Sequence, residues 1–128
     1  MDKVKYWIDL AKEDLAVARV LLKKRKFLHF GFLCHLVIEK ALKAIIASGG
    51  ADVDIPKTHD LVKLAKLGKV YTKMDDTQKD FLEVLLPLNI EARYPSLKAN
   101  ILETLTKATC KETLKETEAL LAWIEEQL

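Results

Sequence analysis

A chain of 128 residues and 14.6 kDa has the size of one ordinary domain and buries about two-thirds of its unfolded surface in a single core. Half of its residues are apolar and 31% charged, which excludes a disordered or fibrous protein. The +2 charge, a balance of 21 basic against 19 acidic residues with arginine only at Arg19, Arg25 and Arg93, gives no strong field toward nucleic acid and argues against sequence-specific DNA binding.

The first apolar repeat, Val4, Trp7, Ala11, Leu15, Ala18 and Leu22, advances by three or four residues and predicts a helix. The basic run Lys23-Lys24-Arg25-Lys26 reads as its solvated C-terminal end, where cations suit the helix dipole. Asp2, Lys3, Lys5 and Asp9 interrupt the apolar stretch that a signal peptide needs, and no segment of membrane-spanning length is free of charge, so a cytoplasmic location without membrane contact is expected. From about Phe27 to Ser48 the pattern is apolar on nearly every side, which predicts a central helix stopped by Gly49-Gly50.

Thr58 is the expected N-cap of a short third helix carrying Leu61, Leu64 and Ala65, with Asp60 in its first turn. Asp75 or Asp76 caps a fourth helix with Phe81, Leu85 and Leu88 on one face, and Pro87 ends or kinks it. A break over residues 89–96 precedes a last helix, expected from about Ile101 to the C-terminus through Cys110, Leu114, Thr117, Leu121, Ile124 and Leu128. With no strand pattern, repeat or linker, the expected fold is all-α: residues 1–128 as one antiparallel bundle of about five helices, a four-helix up-and-down core plus a short helix. Cys34 and Cys110 fall within helical apolar patterns and read as reduced core residues.

No phosphate-cradling glycine loop is present, because the paired glycines end a helix and do not open one. His29 and His35 are six apart, His59 is isolated, and neither a Cys-x-x-Cys nor a His-Glu-x-x-His pattern occurs, so no metal site and no cofactor are expected. Cys34 and His35, as helix neighbours, point in different directions and do not form a nucleophile–base pair.

Three groups carry candidate chemistry. His35, Glu39 and Lys43 recur every four residues on one face of the central helix, either as an internal hydrogen-bonded set or as a polar floor for a phosphate or base. Lys57, Thr58, His59 and Asp60 gather donors at a helix start, where capping explains Thr58 and Asp60 but leaves His59 for a ligand. Arg93-Tyr94-Pro95 holds a cation and an aromatic on a stiffened loop, able to clamp a nucleotide or to anchor the loop itself.

Trp7, Ala11, Asp14 and Leu15 in the first helix, the His-x-x-x-Glu-Lys-Ala-Leu-Lys-Ala segment from His35 to Ala44, Thr58-His59-Asp60-Leu61, and Glu91-Ala92-Arg93-Tyr94-Pro95 together resemble the HEPN family. The resemblance implies an antiparallel helical bundle, often a homodimer. It also implies kinship with small single-domain members that pair with a minimal nucleotidyltransferase in two-component modules, many of them toxin–antitoxin pairs. The expected ligand-binding residues are then Glu39, Lys43, His59, Arg93 and Tyr94, with a nucleotide or RNA as ligand. Many family members are ribonucleases marked by an arginine and a histidine with four to six residues between them. Here Arg25 precedes His29 by three intervening residues and His35 by nine, Arg19 precedes His29 by nine, and no histidine follows Arg93. Catalysis is therefore not the leading expectation; the alternatives are a metal-independent ribonuclease toxin assembled across a dimer from His35, His59 and Arg93, and a structural adaptor.

Overall fold

The computed structural model describes residues 2–89 and 103–128. Helix α1 spans Lys3–Lys23 and begins at Asp2, whose carboxylate accepts from the Lys5 N–H at 3.1 Å. Its C-terminus closes with Arg25 at φ 59°, the Arg25 N–H donating to Leu22 O and the Lys26 N–H to Leu21 O. That pair of bonds reverses the chain at once into α2, Phe27–Ala47, so the basic run ends α1 as expected and sets α2 antiparallel to it. Asp14 and Lys40 fix the register between the two at 2.6 Å.

α2 is the axis of the molecule. Phe30, Cys34, Val37, Ile38, Ala41 and Leu42 have no solvent exposure, consistent with a helix apolar on most sides. Its C-cap is Ser48, and the turn beyond is made by Gly50 at φ +139°. Helix α3, Leu61–Leu67, docks on α2 closely enough that a Cβ on Gly68 would lie 2.8 Å from Ile45 Cγ2.

The N-cap of α3 is Asp60 and not Thr58. Asp60 accepts from the Lys63 N–H at 3.2 Å, while Thr58 Oγ1 accepts from the Asp60 N–H. Starting the helix at Leu61 puts Leu61, Leu64 and Ala65, all fully enclosed, onto the face that meets α2, so core phasing sets the first residue. A 3₁₀ turn, Tyr71–Lys73, leads to α4, Asp76–Leu85, which opens with a reciprocal Asp75–Gln78 capping box. Pro87 then tightens the chain into a second 3₁₀ segment, Leu86–Asn89.

The last helix starts later than expected. Glu103 and Thr104 are helical but Leu105 and Thr106 are not, and α5 runs over Lys107–Glu126. Thr106 Oγ1 accepts from the Thr109 N–H and Thr109 Oγ1 from the Thr106 N–H, so local hydroxyls replace the helical bonds an uninterrupted run needs. Leu128 lies beyond the helix and is exposed. Cys110, Leu120, Leu121 and Ile124 of α5 close the core over α1 and α2, with Arg19–Glu118 and Lys12–Glu125 pairs along its edge. The described residues are all-helical, and no described helix is long and apolar enough to cross a membrane.

Candidate functional site

The polar stripe of α2 is enclosed almost completely: His35 is 0%, Glu39 3% and Lys43 7% exposed. Four-residue spacing stacks them, and each satisfies the next. Lys43 Nζ donates to Glu39 Oε2 at 3.1 Å, and His35 Nε2 lies 3.2 Å from Glu39 Oε1. The Lys43 ammonium also sits over the Trp7 ring of α1, 5.4 Å from its centroid.

His59 comes to the same carboxylate from the loop before α3, its Nδ1 2.7 Å from Glu39 Oε1. Its side chain is 60% exposed, so one ring edge rests on a buried anion while the rest faces solvent. His59 also lines a groove of about 610 Å³ with Thr58, Asp60, Glu83, Leu86 and Asn89. On the far side, His35 Nδ1 faces Leu85 O at 3.1 Å. Leu85 is the last residue of α4, where Pro87 ends the helix, and carbonyls at a helix end are available to outside donors.

Burial alone would push the Glu39 carboxyl up, but hydrogen bonds from His35 and His59 and the charge of Lys43 outweigh it and hold the carboxyl down at about 2. Glu39 is thus a buried anion shared by three basic side chains. Among the described residues, His35, Glu39 and His59 each offer one ligand atom, all within 4.8 Å of one another, a group that could hold a metal ion. Neither thiol adds a nucleophile, since burial raises Cys34 to about 12 and Cys110 to about 11.

Of the residues expected to bind a ligand, Glu39, Lys43 and His59 come together. Arg93 and Tyr94 lie outside the described residues. His35, named in the ribonuclease alternative, is wholly enclosed with both ring nitrogens engaged, so it acts on anything outside only through Glu39 and His59. The spacing alone left two features unseen: the hub role of Glu39, and Trp7 as the platform for Lys43. His59, left without a capping role, was the signal for the first.

Comparison with known proteins adds identity to this geometry. Residues 4–127 match the family described as the HEPN domain. A candidate toxin of Methanocaldococcus jannaschii is 32% identical over 136 residues, covering 97% of this chain and 87% of that protein. The crystal structure of a protein from Thermus thermophilus shares the fold, with a TM-score of 0.83 over 100% of both chains at 21% identity. The family match along nearly the whole chain, set beside the all-helical fold, shows that this protein belongs to the HEPN domain family.

Proposed function

We propose that this HEPN chain is the phosphate- or nucleotide-recognising component of a cytoplasmic two-component, toxin–antitoxin-like module, acting as a homodimer with a nucleotidyltransferase-type partner. The observation that carries the reading is the meeting of Lys43 and Glu39 of α2 with His59 of the loop before α3, where His59 lines a solvent-open groove. A largely exposed imidazole at the groove, oriented by a carboxylate that the buried Lys43 holds in place, suits recognition of phosphate oxygens there. The likeness to a candidate toxin supports the module, and the resemblance in the sequence motifs supports the partner.

Adding a nucleoside triphosphate to the purified chain is expected to raise its melting temperature by a few degrees, with a smaller rise for inorganic phosphate. His59→Ala is expected to remove the shift, and to lower the melting temperature of the free protein somewhat because Glu39 loses one of its three basic partners. A purely monomeric protein with no nucleotide-dependent shift in melting temperature removes this reading.

A second reading, RNA cleavage, is favoured by one feature: a buried carboxylate orienting a histidine whose other edge is open is the arrangement of a general base and its orienting acid. Cellular RNA left intact by the pure protein removes it.

A further inference from the structure

We infer that His35, Glu39 and His59 form a divalent-metal site, with zinc as the best-matched ion. The inference starts from the donors. Leu85 O, facing His35 Nδ1, only accepts hydrogen bonds, so Nδ1 carries a proton, and in the neutral ring the Nε2 lone pair points at Glu39 Oε1. Two acceptor atoms 3.2 Å apart in a fully enclosed position need a positive centre between them, either a second ring proton or a metal ion.

Three features favour the metal. A histidine whose Nδ1–H is held by a backbone carbonyl, leaving Nε2 free, is oriented as metal-ligating histidines are. Two imidazoles and a carboxylate are a zinc donor set, and bonds of about 2.0–2.2 Å at tetrahedral angles place ligand atoms roughly 3.3 Å apart. The 3.2 Å between His35 Nε2 and Glu39 Oε1 already meets that spacing; the 2.7 Å between His59 Nδ1 and the same oxygen must open by about half an ångström, which the loop-borne His59 can supply. Third, His59 is borne on a loop and its side chain is 60% exposed, so it can move aside to admit an ion to the enclosed His35 and Glu39.

Lys43 does not occupy the site. Its ammonium bonds Oε2, the oxygen turned away from the two imidazoles, and rests over Trp7, so it serves to hold the carboxylate. A metal here deepens the phosphate reading, because it lets a site floored by a carboxylate accept an anion; the metal site itself stands on the three donors alone.

The test is calorimetric titration of the chelator-stripped full chain with Zn²⁺ alone, beside His59→Ala and His29→Ala. One equivalent is expected to bind, with affinity weakened about tenfold or more in His59→Ala and unchanged in His29→Ala. A hundredfold excess of Zn²⁺ over its Kd is expected to raise the melting temperature by about 10 °C. Co²⁺ in place of Zn²⁺ is expected to give the visible absorption of a low-coordinate site. Absence of saturable binding, or equal affinity in the wild type and His59→Ala, overturns the site and leaves a proton on His35 Nε2. Zinc binding without any nucleotide shift keeps the metal site and removes the phosphate reading; a nucleotide shift in protein that takes up no zinc does the reverse.

Discussion

Glu39→Gln is expected to lower the free energy of unfolding by about 3–5 kcal/mol, the cost of leaving a buried cation without its anion. The substitution keeps the side-chain volume, so little of the loss is cavity formation. What changes is that Lys43, 7% exposed and bonded to Glu39 Oε2, retains its charge but loses the carboxylate, with the Trp7 ring still beside it. His35 also loses the negative partner on Nε2. Against a total stability of about 5–15 kcal/mol this is a large share, and a marginal fold would be visibly depleted of native protein. Urea denaturation measures it. The double variant Glu39→Gln, Lys43→Met is expected to lose less than Glu39→Gln alone, since Met fills the Lys43 volume without a charge. Additive losses in that cycle would sink the idea that the carboxylate's main structural task is to neutralise the ammonium.

The same residues mark the boundary of what could be read before any coordinates. Apolar spacing gave the helices and their order, because a core-facing stripe has to recur with the helical period whatever the tertiary details. It placed His35, Glu39 and Lys43 on one face for the same reason. Which start signal wins among neighbours is decided elsewhere: Thr58 and Asp60 are both good caps, and only the need to aim Leu61 and Leu64 at α2 selects Asp60. The interruption at Leu105 and Thr106 was hidden because the apolar repeat continues across it, while the device that breaks it, a hydroxyl exchange between Thr106 and Thr109, has no periodicity.

The site shows the sharper limit. Spacing within one helix can be counted, but the arrival of His59 at Glu39, twenty positions away, depends on how α3 docks. Histidine and cysteine spacings do not bring His35, Glu39 and His59 together, because one of the three is a carboxylate and another comes from a loop. The pairing of a histidine with a glutamate four residues later on a buried helix face was the part of that signal available from the start. Its completion by His59 comes from the loop that leads into α3, a helix that docks on α2.

Acid is expected to reverse the stabilisation that Glu39 provides. The carboxyl titrates near its ordinary value of 4.5 in the unfolded chain and at about 2 in the folded one, because burial, which opposes ionisation, is outweighed by His35, His59 and Lys43. A depressed folded pKa means that the unfolded chain binds the proton more readily, so stability is complete above about pH 4.5, falls as the pH drops toward 2 and is fully lost below it. The difference corresponds to roughly 3 kcal/mol. Among the described residues, the side chains bonded to the carboxylate are basic: His35 and Lys43 from α2 and His59 from the loop before α3, with the Trp7 ring behind Lys43. Other carboxylates, Asp14 with Lys40 among them, titrate in the same range, so the quantity to measure is the wild-type minus Glu39→Gln difference in unfolding free energy as a function of pH, in chelator-stripped protein. That difference is expected to be flat above pH 5 and to shrink steadily between about 4.5 and 2. A difference that stays constant down to pH 2 would mean that Glu39 carries no charge in the native protein, and the shared-anion description of the site would fall with it.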